Sequence, residues 1–226
     1  MQKTDQLKTI ALIVAGGRGR RMGKDKQFLR IAGKPMLGWT VAAFQKNRLI
    51  DGIILVVSRN NLMKAKRMRL SKMIAVVESG AERQDSVRNG LAALPASADI
   101  VVIHDGARPG ISQETITRSI TVARQHGAAL VGVPVKDTIK RVQSPRSKVK
   151  ETVDRKELWA AQTPQTFKVE IIKDVYERIK GKFTDDAGLV EKAGRPVKMV
   201  RGSYENLKVT TPEDIKIMSA ILGSRR

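Results

Sequence analysis

The chain has 226 residues, of which 41% are hydrophobic and 29% charged, a composition typical of one globular domain. It contains no cysteine, which excludes disulfides and thiolate metal sites. The 43 Lys and Arg against 22 Asp and Glu give a formal net charge of +21, which favours anionic partners such as phosphorylated metabolites or nucleic acid. The first residues are polar and no apolar run could span a bilayer, so we expect a cytoplasmic protein without membrane contact.

Apolar, strand-like runs alternate with helical stretches over the first 135 residues. Strands are predicted at 10–15, 53–57, 74–77, 100–103 and 130–135, and helices at 36–45, 61–70, 85–94 and 113–126, the last with Ser112 as N-cap. Continuous apolar strands separated by helices are typical of a mainly parallel sheet covered on both faces. The predicted fold class is therefore α/β, with helices on both faces of the sheet.

Residues 136–153 are polar and loosely alternating, with Ser144-Pro145 near the middle. This pattern predicts a β-arm that extends from the core and rests on a second subunit, with a surface loop as the alternative. Beyond the arm, a helix is predicted at 169–180, and a short helix capped by Thr184 ends at Gly194. A strand at 197–200 and a helix from Thr211-Pro212 to Gly223 follow. No linker or repeat interrupts the chain, so we predict one domain over residues 1–226.

A glycine- and arginine-rich loop, from Ala15 to Gly23, directly follows the first strand. Glycines let a phosphate approach backbone amides closely, and α/β sheets bind ligands at the carboxyl ends of their strands. The loop is not a P-loop, since Asp25 stands where Ser or Thr is required. It is not a dinucleotide fingerprint either, because Met22 replaces the third glycine. A phosphate-binding loop of another kind and a merely structural turn both remain open.

Charged residues lie next to this loop and at the end of a later strand. Arg21 and Lys26 flank the loop, and cations beside a triphosphate neutralise the charge that builds up during phosphoryl or nucleotidyl transfer. Asp105 follows the strand at 100–103, and a single carboxylate suits Mg²⁺ that takes its other ligands from phosphates and water. The alternative for Asp105 is a turn residue or an ion pair with Arg108.

Six parts of the chain, taken together, resemble 2-C-methyl-D-erythritol 4-phosphate cytidylyltransferases. They are the loop with Lys26-Gln27, GAERQDSVRNGL at 80–91, HDGARP at 104–109, PVKDTIK at 134–140, TVDR at 152–155 with TPQ at 163–165, and TDDA at 184–187 with NLKVT at 206–210. The resemblance covers nearly the whole chain. It implies a Rossmann-like fold with a protruding arm, a homodimer, and a requirement for Mg²⁺ or another divalent cation. The implied reaction transfers CMP from CTP to methylerythritol phosphate, releasing pyrophosphate, in non-mevalonate isoprenoid synthesis.

The resemblance also implies roles for individual residues. Arg21 and Lys26 match the pair that stabilises the transition state, and Asp105 matches the magnesium-associated aspartate. The nucleotide-binding positions are Ala15, Gly16, Gly17, Gly80, Arg83 and Ser86. The substrate-binding positions are Arg108, Thr138, Arg155 and Lys208, of which Arg155 and Lys208 hold the acceptor phosphate. Ser86 has the alternative of merely filling a helix start. His104 is predicted to be structural, because a phosphate monoester is already an anionic nucleophile and needs no base.

Two departures and two rival functions accompany this interpretation. Val14-Ala15-Gly16-Gly17 replaces the family's usual Pro-Ala-Ala-Gly, and Gly106 stands where alanine is usual; both changes leave the phosphate cradle plausible. Ribitol-5-phosphate cytidylyltransferase shares the loop and differs mainly in the acceptor pocket. A non-catalytic nucleic-acid-binding protein would also use the positive charge. It is disfavoured because aromatic residues are only 4% and no zinc-finger or zipper pattern occurs.

Overall fold

The computed structural model of the chain describes residues 8–17, 26–143 and 148–225. The strands of these ranges are β1 (Thr9–Ala15), β2 (Arg30–Ile31), β3 (Lys34–Pro35), β4 (Gly52–Val57), β5 (Met73–Glu78), β6 (Ile100–Asp105), β7 (Ala128–Pro134), β8 (Ile139–Gln143), β9 (Lys148–Val153), β10 (Trp159–Lys168) and β11 (Lys198–Arg201). The α-helices are α1 (Met36–Lys46), α2 (Leu62–Lys66), α3 (Arg83–Ala92), α4 (Gln113–His126), α5 (Val169–Arg178), α6 (Asp186–Lys192) and α7 (Pro212–Gly223). Across this part of the chain, no helix has the length and hydropathy of a membrane span.

Seven strands form one sheet in the order β11-β7-β10-β6-β1-β4-β5. β1 pairs in parallel with β4 and β6, β4 with β5, and β11 with β7. β10 lies between β6 and β7 and is antiparallel to both. The prediction of an α/β fold with a mainly parallel sheet is therefore confirmed, with one antiparallel strand inserted near the middle.

The side chains of the sheet alternate between two apolar layers, as the period of a β-strand requires. On one face, Leu12 and Val56 pack with α3, α5 and α6. On the other, Ile13 and Leu55 pack with α1, α2 and α4. Both layers consist mainly of buried aliphatic side chains, and full burial of one such side chain is worth about 1.5–3 kcal/mol. Helices on both faces of the sheet are thus confirmed.

Helix ends agree with the sequence at three places. The Ser112 side chain accepts a hydrogen bond from the amide of Thr115 at the start of α4. Thr211 and Asp214 form a capping box at the start of α7, with Pro212 at the first helical position. Gly194 follows α6 with a φ of +71°, a left-handed conformation that favours glycine.

One strand was not predicted, and two predicted elements need correction. No strand was predicted at 159–168, where β10 lies in the middle of the sheet. The helix expected at 61–70 is much shorter, since α2 spans only Leu62–Lys66. The cap of α6 is Asp185, whose carboxylate accepts from the amide of Gly188 at 3.1 Å, and Thr184 precedes it.

The arm is a two-stranded antiparallel hairpin of β8 and β9 that forms a sheet of its own. Nearly every residue of both strands is exposed, including Val142 at 52% and Val149 at 54%. These two valines pair across the hairpin. The protruding β-arm is therefore confirmed, while Ser144-Pro145 lies outside the described residues.

Candidate active site

A cleft of about 1100 Å³ opens at the carboxyl ends of β1, β4, β5 and β6. This is the edge at which open α/β sheets bind ligands. Its lining comes from the ends of these four strands, the segment before β2, the start of α3 and the segment before α7. Eight of the predicted site residues line it: Gly16, Gly17, Lys26, Gly80, Arg83, Ser86, Asp105 and Lys208. Asn61 and Ser79 also line the cleft and were not predicted.

Two glycines allow the backbone at the cleft to pack closely. A Cβ on Gly16 would lie 2.1 Å from Cβ of Ser79, so the chain after β1 passes directly against the chain after β5. A Cβ on Gly80 would lie 2.2 Å from Cβ of Asp85 at the first turn of α3. Any larger residue at either position would displace backbone that borders the cleft.

The side chain of Ser86 makes hydrogen bonds within the segment from Gly80 to Ser86. Its hydroxyl accepts from the amide of Gly80 at 3.1 Å and donates to the carbonyl of Glu82 at 3.0 Å. Glu82 and Asp85 form a capping box at the start of α3. Ser86 therefore has the structural role given above as its alternative, at the start of a helix. The same contacts hold Gly80 and Ser86 at the wall of the cleft.

Asp105, at the end of β6, lies among three cations. Its Oδ1 atom is 3.2 Å from Nε of Arg83, and its Oδ2 atom is 2.8 Å from Nζ of Lys208 and 3.6 Å from Nε of Arg108. Burial alone would raise the pKa of Asp105, but Arg83, Lys208 and Arg108 outweigh it and hold the pKa well below its usual range. The carboxylate is therefore ionised at any physiological pH.

The segment after β11 brings two cations to this strand end. The amide of Val209 donates to the carbonyl of Ala107 at 2.9 Å, which places Lys208 beside Asp105. Nζ of Lys26 lies 3.3 Å from the carbonyl oxygen of Val209. Residues more than 180 positions apart in sequence thus meet at one edge of the cleft.

Arg83 is the first residue of α3 and bridges two carboxylates. Besides Asp105, its Nη2 atom lies 2.9 Å from Oδ2 of Asp186, the first residue of α6. Burial lowers the pKa of Arg83, but the charges of Asp186 and Asp105 outweigh burial and raise the pKa above its usual value. The sequence predicts a site role for Arg83 but none for Asp186, which belongs to the TDDA segment of the family resemblance and to the start of a short predicted helix.

His104 lies next to Asp105 in the core, fully buried. Its Nε2 atom is 3.2 Å from the carbonyl oxygen of Arg108, and since a carbonyl only accepts, Nε2 carries the proton. Its Nδ1 atom is 3.0 Å from the hydroxyl of Thr163, which in turn accepts from the amide of Asp105. His104 does not line the cleft, in keeping with the predicted structural role.

Four other predicted residues do not line the cleft. Ala15 ends β1 and is buried directly before the lining residues. Arg108 pairs with Asp105 and donates to the carbonyl of Asn206 at 2.8 Å. Thr138 and Arg155 are exposed at the base of the arm, where Arg155 donates to the carbonyl of Lys136, and neither lines the cleft. Arg21 lies outside the described residues.

The donor set at Asp105 limits how a metal could be held. Within residues 8–17, 26–143 and 148–225, no group of three or more His, Asp or Glu side chains could hold a metal ion unaided. Asp105 offers one permanently ionised carboxylate at the cleft, which fits a Mg²⁺ ion that takes its other ligands from phosphates and water.

The glycine-walled, cation-rich cleft at the carboxyl ends of a mainly parallel sheet suits a phosphorylated nucleotide, and the known proteins that the chain matches are nucleotidyltransferases. The family model for 2-C-methyl-D-erythritol 4-phosphate cytidylyltransferase (IspD) matches residues 9–224. The chain therefore belongs to the 2-C-methyl-D-erythritol 4-phosphate cytidylyltransferase family.

Individual relatives agree over almost their full lengths. The 2-C-methyl-D-erythritol 4-phosphate cytidylyltransferase of Alkaliphilus metalliredigens is 47% identical over 229 residues, covering 97% of this chain and 95% of that protein. The enzyme of the same name from Dehalococcoides mccartyi strain 195 is 46% identical, covering 97% and 98%. The crystal structure of 4-diphosphocytidyl-2C-methyl-D-erythritol synthase from Anaerococcus prevotii superposes with a TM-score of 0.86 at 32% identity, covering 97% of each chain.

Proposed function

We propose that this protein transfers CMP from CTP to 2-C-methyl-D-erythritol 4-phosphate. The products are 4-diphosphocytidyl-2-C-methyl-D-erythritol and pyrophosphate, and the reaction belongs to non-mevalonate isoprenoid biosynthesis. The observation that carries the proposal is the cleft in which Gly16, Gly17 and Gly80 face the cations Lys26 and Lys208. Membership of the family supplies the identities of the two substrates.

The nucleotide occupies the part of the cleft between the end of β1 and the start of α3. The backbone around Ala15, Gly16 and Gly17 offers amides to the triphosphate, as glycine-rich strand ends do. Gly80, Arg83 and Ser86 line the same cleft. We assign them to the cytosine and the ribose. Lys26, together with Arg21, neutralises the charge that accumulates on the α-phosphate as the transition state forms.

The acceptor's phosphate oxygen attacks the α-phosphorus of CTP directly. One new P–O bond forms as the bond between the α-phosphorus and the α,β-bridging oxygen breaks, and pyrophosphate leaves with the electron pair. Lys208 and Arg155 hold the acceptor phosphate for attack, with Arg108 and Thr138 as further contacts, since two anions approach only when cations hold them together. No side chain has to remove a proton, because the nucleophile is already anionic.

Asp105 would hold Mg²⁺ together with the phosphates of CTP. The ion, when bound, supplies additional positive charge to the triphosphate. Arg83, Arg108 and Lys208 keep Asp105 ionised, which is the state that binds a metal.

The proposal includes a homodimer formed through the arm at 136–153 and a single domain over 1–226. An isolated two-stranded hairpin is marginally stable in water, and the exposed pair Val142 and Val149 is apolar surface that a second subunit would cover. Thr138 and Arg155 lie at the base of this arm, so a dimer would bring a partner's residues toward the acceptor site. We place the enzyme in the cytoplasm, because its donor is a soluble intracellular nucleotide.

The test is a comparison of donors and acceptors by pyrophosphate release with Mg²⁺ present. CTP with methylerythritol phosphate should be turned over fastest, and ATP or UTP should be poor donors. Faster turnover with ribitol 5-phosphate would overturn the acceptor assignment. Tight RNA binding without any CTP turnover would overturn the catalytic function altogether.

A further inference from the structure

A buried polar chain connects the cleft to the layer of helices beneath the sheet. Arg83 lies at the cleft with 27% of its side chain exposed, whereas the side chain of Asp186 is 2% exposed and lines no part of the cleft. The hydroxyl of Tyr176, on α5, donates to Oδ1 of Asp186 at 2.6 Å. Burial, and then the charge of Asp186, raises the pKa of Tyr176, so the phenol keeps its proton and remains a donor.

Asp186 is itself fixed from several sides. Its amide donates to Oε1 of Gln165 on β10 at 3.0 Å, and the same oxygen accepts from the amide of Ala187 at 2.9 Å. Gln165 also donates to Asp185 at 2.8 Å. Asp186, on α6, is thus held to β10 through its backbone amide and to α5 through its carboxylate.

The two carboxylates that Arg83 contacts are not equivalent. Asp105 is shared with Lys208 and Arg108, and it lies at the cleft, where substrate binding will change its surroundings. Among the described residues, Arg83 is the only cation that pairs with Asp186. The Nη2–Oδ2 contact of 2.9 Å therefore depends on the buried network rather than on the contents of the cleft.

We propose that Asp186 is a positioning residue that holds the guanidinium of Arg83 at the nucleotide wall of the cleft. It acts through Arg83 and touches no substrate. Tyr176 in turn orients Asp186 by occupying its other oxygen. The inference rests on the proposed function, in which Arg83 belongs to the CTP-binding wall. A side chain as long as arginine loses much rotational freedom when it is fixed, and a fixed partner supplies that order before the nucleotide arrives.

The test is a double-mutant cycle on CTP binding, measured by titration calorimetry with Mg²⁺ and no acceptor. Asp186→Asn keeps the size of the side chain and an oxygen for Tyr176 but removes the charge that holds Arg83. We expect the Kd for CTP to rise about tenfold in Asp186→Asn and in Arg83→Ala. The double variant should bind no worse than Arg83→Ala, because Asp186 acts only through that arginine.

Two further variants keep the proposal falsifiable. Tyr176→Phe removes one hydrogen bond, should fold even if Asp186→Asn does not, and is expected to weaken CTP binding two- to threefold. Glu191→Gln removes the same charge from the exposed side of α6 and should leave CTP binding unchanged. In steady state, KM for CTP should rise in Asp186→Asn while KM for the acceptor stays within twofold.

Each other outcome has a definite meaning. Loss of thermal stability in Asp186→Asn with an unchanged Kd for CTP would show a purely structural role and overturn the proposal. The proposal would also be overturned if Asp186→Asn weakened CTP binding by the same factor in the wild type and in Arg83→Ala. A wild-type protein that does not bind CTP would instead contradict the proposed function.

Discussion

Lys26 is the described cation on which the proposed chemistry depends most directly. It borders the cleft next to the end of β1, and its ammonium group contacts the carbonyl of Val209. A fixed cation beside developing charge is worth roughly 3–4 kcal/mol. We therefore expect Lys26→Ala to lower kcat by about two to three orders of magnitude in a pyrophosphate-release assay.

The control for this variant is Lys216→Ala, which removes an exposed lysine from α7. Its kcat should equal that of the wild type, and both variants should unfold at similar temperatures. Turnover by Lys26→Ala within threefold of the wild type would exclude a role in transition-state stabilisation.

His104 makes the stability of the fold depend on pH. Burial, opposed in part by the charge of Asp105, lowers the pKa of His104 from 6.5 to about 4. Between these two pH values the unfolded chain binds a proton at this residue that the folded protein does not. The contribution of neutral His104 to the free energy of unfolding is therefore fully present above pH 6.5 and is lost as the pH decreases towards 4. We expect a loss of about 2 kcal/mol between pH 7 and pH 5 in denaturant titrations.

His104→Gln removes this titrating group and should flatten the decline over the same pH range. His126→Gln, which replaces an exposed histidine at the end of α4, should retain it. An equal decline in the wild type and in His104→Gln would assign the acid sensitivity to other groups.

At the scale of elements, the sequence predicts well where local chemistry decides and poorly where distant contacts do. The apolar strands β1, β4 and β6 and the capped helix α4 follow from short patterns. β10 does not, because its middle carries Gln162, Pro164 and Gln165, a composition that argues against a central strand. The side chain of Gln165 bonds to Asp185 and to the amides at the start of α6, partners that no local pattern reveals.

The candidate site divides in the same way. Gly16, Lys26 and Asp105 could be found because strand ends and glycine-rich loops mark a ligand edge in the sequence. The contact of Lys208 with Asp105 spans 103 positions and depends on how the segment before α7 packs. Asp186 was missed because a buried acidic residue at a helix start has the same sequence pattern as an exposed one that only complements the helix dipole.

The exposed valine pair of the arm leads to a prediction about dimerisation. Replacing Val142 and Val149 together by serine removes the apolar pair from an exposed hairpin without touching the seven-stranded sheet. If a second subunit covers this pair, the mass from light scattering at micromolar concentration should fall from two chains towards one. Ile217→Ser removes a similarly exposed apolar side chain from α7 and should leave the mass unchanged. A variant arm with the full dimer mass would remove the arm from the proposed interface.

At the scale of the whole molecule, the net charge of +21 acts on two substrates that are both anions. A positive field concentrates anions near the surface and accelerates their encounter with the cleft. The segment that follows the cleft residues Arg59 and Asn60 is rich in basic residues, and its Lys66 and Arg67 are exposed. Salt screens such a field over about 10 Å at 0.1 M ionic strength.

We therefore expect kcat/KM for CTP to fall several-fold as ionic strength rises from about 0.02 to 0.5 M, with a smaller change in kcat. Lys66→Glu combined with Arg67→Glu should lower kcat/KM at low salt and approach the wild-type value at high salt. Neither pair lines the cleft, but Lys66 and Arg67 follow the cleft residues Arg59 and Asn60 closely in the chain, whereas Lys180 and Lys182 lie between α5 and α6. Lys180→Glu with Lys182→Glu changes the net charge equally, and its effect should be smaller. Equal effects of both pairs would assign the attraction to the total charge, and a kcat/KM independent of salt would show that the positive charge plays no part in capturing the substrates.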